Sequence, residues 1–493
     1  MKYTSIPPIL SSRDILASDA CLSPSRYLRF TPPAKLSKVK FAPYPKIVAE
    51  RLEPVKKLSH RTYQYIEIGD IDANTGFVVP QSLSGYEISG GMKTAHPGDL
   101  VISTVRTYRG GVGQIIGSDK VVVTAAIQVI LGAHPSYSTV TKEYLLALLR
   151  SQLFREQVWA ALDKGVYPRL SPESLANVLL PIPRDAHHIR NITALVQAYM
   201  RKRAAIRTRS GRILEAISRH LAANQKRRRF AYQLPTRDDI MRSGRFDSSL
   251  FDKTFKKVSW LLENYKHGYT VPSASGFTVI PGPSLEERLL GASLRSDTAL
   301  PGFRPLILPS NLSSDGTVDK VIYLKTNAAI PSLRPFDILF GEAGFQKGRS
   351  AVLIDCAPDA MTNAHGIAVR RSDGDLTESI VFRCVLHWLR ENGLIDAMAV
   401  GGSGGHFSPE YFDMCLLPKF PPAFKRKLRQ MYYSGAHARP RGVTWSNLVR
   451  WHENCDKTLG VWDLAMQSDR LQKAIEKYIE SIVDDAPTQP PIP

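Results

Sequence analysis

RDAHHIRNITALVQAYMRKRAAIRTRSGRILEAISRHLAANQKRRR, residues 184–229, decides how this chain is organised. From Ile189 onward the positions Ile189, Ile192, Val196, Tyr199, Arg203, Ile206, Ser210, Ile213, Ile217 and His220 recur at alternating spacings of three and four, the seam of a heptad repeat. Seven of those ten are apolar or aromatic. At about 1.5 Å per residue, some forty residues make a rod of roughly 60 Å, and a stripe this narrow suits a two-helix seam better than a globular-domain face. Nothing nearby in the sequence offers to cover it. The partner is therefore sought at the far end of the chain, where Leu464, Ser468, Leu471, Ile475, Tyr478 and Ile482 keep the same alternation. If each helix follows a globular block, the pair packs antiparallel, as a spacer with a domain at either end. The candidate partner-binding residues along this seam are Ile189, Ile192, Val196, Tyr199, Ile206, Ile213 and Ile217 on one helix, with Leu471, Ile475, Tyr478 and Ile482 on the other.

The remaining text fits that frame. A chain of 493 residues exceeds what one hydrophobic core usually organises, so two or three domains are predicted. The net charge of +20 points to a polyanionic partner, nucleic acid first and an acidic membrane surface second. Part of that charge lies on the central helix, at Arg201, Lys202, Arg203, Arg207, Arg209, Arg212 and Arg219, and in Lys226 to Arg229 just beyond. A solvated helix face explains the same run equally well. Five scattered cysteines without a Cys-x-x-Cys indicate neither a zinc site nor a disulfide framework, and suggest a reducing compartment. With no apolar run of transmembrane length and no secretory signal in MKYTSIPPIL, a cytoplasmic location is expected, with no membrane partner.

Between Lys38 and Pro183, short β-rich runs (YQYIEIGDI, GDLVISTVR, KVVVTAAIQVIL) precede a helical pattern, EYLLALLRSQLFREQVWAALDKG, and the block closes with YPRLSPESLANVLLPIP. This order predicts an α/β domain. The same signals return after the central helix. PFDILFGEAGFQKGRS matches GDLVISTVRTYRGGVG with Asp337 against Asp99, an offset of 238, and Thr362 falls against Thr124 at the same offset. HFSPEYFDMCLLP repeats RLSPESLANVLLP, with Ser408 against Ser171 and Pro418 against Pro181 at an offset of 237. Several anchors at nearly constant offset make the chain a tandem repeat of a domain followed by a helix.

Catalytic motifs are missing where they would be expected. GEAGFQKGRS lacks the Gly-Lys-Ser/Thr order of a phosphate-binding loop, no Gly-x-Ser-x-Gly elbow occurs, and no Asn/Asp-Pro-Pro-Tyr/Phe segment is present to stack a methylated base. Asp337, Glu342 and Lys347 invite comparison with a metal-dependent nuclease, but Thr104 stands where Glu342 does in the first block, so Glu342 reads as a loop residue. His187 and His188 read as residues of a helix start. No metal site, cofactor or catalytic residue is expected. Each block does carry two cationic, polar loops. The candidate DNA-binding residues are Arg106, Tyr108, Arg109, Lys164, Tyr167 and Arg169 in the first, and Gln346, Lys347, Arg349, Ser403 and His406 in the second. Arg and Gln can each make paired hydrogen bonds to a base edge, and glycines let backbone approach phosphates. For any one of these residues an exposed loop cation is the better description; the duplicated placement is what raises the set.

These features together resemble the specificity subunits of type I restriction-modification systems. The resemblance is carried by the GDLVIS strand and its basic Gly-rich loop, the TAA segment, the EYLLALLRSQ helix, and GVYPRLSPESLANVLLPIP leading into a long helix. It covers nearly the whole chain and is strongest in the first half. It implies two tandem α/β target-recognition domains joined by two long helices that form an antiparallel coiled coil. The expected boundaries are 1–183 for the first domain, 184–230 for the central helix, 231–420 for the second domain, 421–484 for a C-terminal helical region and 485–493 for a disordered tail. It further implies a non-catalytic subunit that reads the halves of a bipartite site in double-stranded DNA, holds two adenine-N6 methyltransferase subunits, and belongs to an assembly that recruits a translocase-nuclease. Two departures stand out: DAHHIR and PPAFKRKL replace the Glu-Gln pair that usually opens each long helix, and residues Gly435 to Asn454, with Trp445 and Trp451, interrupt the second helical region. A specificity-like subunit of another DNA-modifying defence system, a self-contained enzyme acting on DNA, and a scaffold whose basic helix binds RNA or acidic protein are the competing readings.

Overall fold

The computed structural model describes residues 2–7, 9, 11–12, 27–33, 35–117, 119–162, 169–227, 229–286, 293–401, 405–436 and 442–492. The chain divides into two units, one of residues 1–204, 438–457 and 467–493, the other of residues 205–437 and 458–466. Each is built on the same four-stranded frame, and only the elements of that frame and the helices are labelled below.

In the first unit β1 is Val39–Pro43, β2 Val48–Arg51, β3 Leu100–Ser103, β4 Val112–Gln114 and β5 Ile127–Ala133; α1 is Lys142–Arg150, α2 Gln152–Ala161 and β6 Leu179–Pro183, and α3, Ala186–Ala223, belongs to the first unit up to Ala204 and to the second from Ala205. The sheet runs β4-β3-β5-β2, all antiparallel, and β6 pairs separately with β1. All four residues of β3 are buried, which is why GDLVIS reads as a continuous apolar run rather than an alternating one. KVVVTAAIQVIL, a single run in the sequence, breaks at Ala125–Ala126. Its first part, Val121–Thr124, joins a five-stranded sheet with Pro54–Val55, Met92–Ala95, Thr62–Ile66 and Gln81–Ser84, and its second part is β5. The EYLLALLRSQ pattern likewise gives two helices. Ser151 is extended at ψ 158°, ends α1, and accepts the Phe154 N–H to start α2.

In the second unit β7 is Tyr269–Thr270, β8 Phe277–Pro281, β9 Ile338–Gly341, β10 Ser350–Val352 and β11 Gly366–Arg371; α4 is Leu376–Glu391, α5 Leu394–Met398, β12 Leu417–Pro418 and α6 Pro422–Tyr432. Two helices follow, α7 Leu448–Asp456, which belongs to the first unit, and α8 Val461–Val483, which belongs to the first unit from Gln467 on. The order β10-β9-β11-β8 repeats that of the first unit strand for strand, again antiparallel, and β12 pairs with β7 as β6 does with β1. Side-chain oxygens cap both α1 and α4, from Thr141 and Asp375. The duplication read from four sequence anchors is thus a duplication of topology.

Asp99 and Asp337 show why those anchors persist. Each is 1% exposed at the entry to the central strand, β3 or β9. Each carboxylate accepts the backbone N–H three residues earlier, from His96 and Arg334 at 2.9 and 2.8 Å. Each is neutralised by an arginine at 2.9 Å, Arg51 Nε in one unit and Arg370 Nε in the other. Arg51 lies on the edge strand β2, whereas Arg370 lies on β11, so the same buried charge is compensated from different strands. An isolated buried carboxylate is costly, and pairing it with fixed donors at the strand entry offsets that cost.

The long helix α3 has two different surroundings. Over residues 186–204, Ile189, Ile192, Val196 and Tyr199 are buried in one cluster with Leu471, Ile475, Tyr478 and Ile482 of α8. His188 Nδ1 lies 2.8 Å from the Tyr478 hydroxyl, and the Tyr199 hydroxyl lies 3.5 Å from Gln472 Oε1, so the number rises along α3 as it falls along α8. The buried stripe is wider than the seam, because Leu195, Ala198, Met200 and Lys202 are buried as well. The first domain supplies much of that extra cover, with Thr141 Oγ1 2.7 Å from Thr193 Oγ1, Gln197 donating to Glu143, and the Tyr199 hydroxyl donating to the Thr75 carbonyl, while Lys202 meets Asp456 of α7. The expectation that nothing nearby could cover the helix is corrected by these contacts. Over residues 205–223, Ile206, Ile213 and Ile217 are also buried. There the neighbours include α4 and α6: Trp388 Nε1 donates to Ser218 Oγ at 2.8 Å, and the His220 ring stacks on Phe424 at 4.0 Å. Among the described residues the C-terminal helical region holds three helices, α6, α7 and α8, and α8 has 23 residues against 38 in α3. Among the described residues no helix is long and apolar enough to cross a membrane, and Cys356, Cys384, Cys415 and Cys455 are free.

Candidate nucleic-acid interface

In both units three segments are tied together at the end of the sheet where the central strand leaves it. In the first, Thr104 just past β3 donates its N–H to the Ala126 carbonyl at 2.9 Å, and Leu170 N–H donates to the Thr104 carbonyl at 2.8 Å. Val105 and Arg169 form a single antiparallel bridge. In the second, Glu342 N–H donates to the His365 carbonyl at 3.0 Å, Phe407 N–H donates to the Glu342 carbonyl at 2.8 Å, and Ala343 bridges His406. The backbone scaffold is the same while the side chains differ: Thr104, Ala126 and Arg169 become Glu342, His365 and His406.

The first cluster presents cations and an aromatic platform. Arg109 is exposed, its guanidinium 5.8 Å from the Tyr108 ring centre, and Tyr108 packs edge-on against Trp159 at 4.6 Å. Arg106 is half-buried and takes the left-handed conformation at φ 51°, the bend that turns the loop back over the sheet. Gly111 is fixed by packing, since a Cβ there would meet Ser103 Cβ at 2.8 Å. Arg169 is exposed. Lys164 and Tyr167 lie outside the described residues.

The second cluster spends its cations inward. Lys347 Nζ is 2.7 Å from Asp396, and Arg349 Nη1 donates to the Leu312 carbonyl at 3.1 Å. Gln346 is half-buried in the short helical turn before Lys347, and Ser403 lies outside the described residues. Exposed polar side chains here include His365 and His406, 57% and 60% exposed, on either side of Glu342. Sequence reasoning passed over His365 and set Glu342 aside as a loop residue. Only the offset of 238 between Glu342 and Thr104, and the place of His365 three residues past Thr362, hinted at them. Asp337, once grouped with Glu342 as a nuclease candidate, is held by Arg370 beneath the strand.

The basic run on α3 is largely engaged within the chain. Lys202 is 0% exposed, with Nζ 2.5 Å from Asp456, and Arg201 pairs with Glu453 at 3.0 Å. Burial lowers the Lys202 pKa and raises that of Asp456, each opposed by the attraction of its partner. Arg219 pairs with Glu215 one turn earlier, and Arg228 lies outside the described residues.

No known family pattern matches the chain, and no curated protein does. Solved structures that the chain matches include the HsdS subunit from Thermoanaerobacter tengcongensis, 16% identical over 92% of this chain and 98% of that one, with a TM-score of 0.31. The type I restriction-modification S subunit from M. genitalium is 11% identical over 94% of this chain and 100% of that one, with a TM-score of 0.33. A chain from a type I R-M system studied for its complex assembly and conformational transition is 16% identical, covering 92% of this chain and 99% of that one, with a TM-score of 0.32.

Proposed function

We propose that the chain is the DNA sequence-recognition subunit of a type I restriction-modification complex. It reads a bipartite duplex target with its two units and positions methyltransferase subunits, and with them a translocase-nuclease. The observation that carries this reading is the duplicated loop cluster: one backbone scaffold, pinned by the same hydrogen bonds in both units, bearing different side chains at each matched position. A binding protein that reads two unlike half-sites needs that combination, because phosphate contacts position a protein while side chains on base edges specify sequence. The net charge of +20 supplies the sequence-independent part of the affinity. The two long helices, paired antiparallel as a coiled coil, join the recognition domains in this reading. The loops carry recognition, and the chemistry on DNA belongs to partner subunits.

Selection from a pool of randomised duplexes, using the full chain assembled with its partner subunits, tests the proposal. Enrichment of a motif with two short specified halves and an unread gap of fixed length is the expected outcome. Uniform recovery of all sequences would instead favour a scaffold that binds nucleic acid by charge alone.

A further inference from the structure

We propose that Glu342, His365 and His406 form a binding site for a Zn²⁺-class divalent ion in the loop cluster of the second unit. The inference stands on the geometry of that unit and holds whether or not the chain reads DNA. One carboxylate oxygen, Glu342 Oε1, faces both imidazoles: His365 Nδ1 is 3.4 Å away and His406 Nδ1 3.5 Å away. Ligand atoms from all three residues lie within 4.8 Å of one another. Hydrogen bonds would draw a nitrogen and a carboxylate oxygen to about 2.7–3.2 Å. At 3.4 and 3.5 Å the two contacts are at the long limit of a hydrogen bond, and they lie close to the spacing of about 3.4 Å that a tetrahedral ion with bonds of about 2.0–2.1 Å imposes on neighbouring ligand atoms. Two imidazoles and one carboxylate suit zinc and its neighbours and leave one position open for water or an incoming oxygen.

The ligands are held by backbone rather than by chance side-chain reach. Glu342 is bonded on both sides, its N–H to the His365 carbonyl and its carbonyl from the Phe407 N–H. His406 exchanges two backbone hydrogen bonds with Val400, at 2.8 and 2.9 Å, and bridges Ala343. Glu342 is only 16% exposed, so the carboxylate sits at the base of the site and the two imidazoles flank its mouth. The matched positions of the first unit are Thr104, Ala126 and Arg169, which hold no ligand set but include one exposed cation. A bound divalent ion would place positive charge in the second cluster where Arg169 places it in the first, in a cluster whose own Lys347 and Arg349 point inward.

The test is titration of the full chain with Zn²⁺ by calorimetry, and with Co²⁺ by its visible absorption, compared with the variants His365→Gln/His406→Gln and His187→Gln/His188→Gln. The second pair controls for the other group of three potential ligands among the described residues, Asp185 with His187 and His188. One equivalent of ion is expected in the wild type and in the control. Affinity in His365→Gln/His406→Gln should be more than about 100-fold weaker, beyond the loss usual for second-shell changes. Thermal melting should rise with Zn²⁺ in the wild type and stay unmoved in that variant, whose melting without metal should match wild type because both side chains are exposed. An affinity that the double substitution leaves unchanged, or no saturable equivalent in the wild type, would overturn the assignment.

Discussion

His452 and His387 are imidazoles kept neutral by their surroundings. Burial is the main cause in both, pushing His452 down to about 3 and His387 down to about 4, with the Lys202 ammonium adding to the first and the Arg383 guanidinium to the second. The unfolded chain takes up these protons near pH 6.5, while the folded chain resists until pH 3–4. The unfolded state therefore binds more protons across that window, and stability must fall as pH drops from about 6.5 toward 4. Thermal melting of wild type should decline over that range, and His387→Gln should flatten the decline; a parallel slope in the variant would show that His387 does not carry the loss. Arg169 and Arg109 make a second prediction at this scale. If Arg169 touches a base, Arg169→Ala costs about 1–3 kcal/mol on the cognate duplex and relaxes one position of the target. If Arg109 touches a phosphate, Arg109→Ala weakens all duplexes alike and lowers the salt slope by about one. Binding isotherms at several salt concentrations separate the two, and wild-type behaviour in both variants would remove this cluster from the interface. At the residue scale, Asp99 and Asp337 were legible as repeat anchors, but their reason, a buried charge met by an arginine from a different strand in each unit, was not. Glu342, His365 and His406 were illegible as a group, because 23 and 64 residues separate the carboxylate from its histidines until β9 and β11 pair.

The three-four spacing on α3 did identify a buried stripe, since every apolar seam position from Ile189 to Ile217 is covered. What spacing could not convey is that the covering elements change along its length, from α8 with the first domain to α4 and α6. A heptad records which face is buried, not what buries it. Inserting two residues after Ser210 rotates everything beyond by about 200° and carries Ile213 and Ile217 out of the second unit's core. Inserting four rotates it by about 400°, close to a whole turn, so that face is largely restored. Denaturant melts should therefore show a strongly destabilised second unit for the first insertion and a near-native one for the second. Equal stability of both insertions would mean that the face of α3 presented to α4 and α6 is not what holds that unit. The breaks at Ser151 and Ala125–Ala126 were invisible for a related reason: an apolar run does not say which sheet or helix face each half will join.

For the molecule as a whole, two units with the same strand order and matched loop clusters predict modular recognition. Replacing residues 38–183 with the corresponding block of a relative should change one half of the selected motif and leave the other half intact; simultaneous change of both halves would refute the modular reading. The duplication itself was readable because Asp99 and Asp337, Thr124 and Thr362, and the two Ser-Pro-Glu segments recur at nearly constant offset, and Asp99 and Asp337 do so at the same buried strand entry. The loops between them were less readable, because their side chains are free to differ on a shared scaffold. The central claim, that this chain directs a DNA-modifying complex to a bipartite site, is tested most directly by mapping adenine methylation across the host genome with the gene intact and deleted. A single motif of two specified halves, separated by a fixed gap, should be methylated in the intact strain and unmethylated in the deletion. Identical methylation patterns in the two strains would contradict the account.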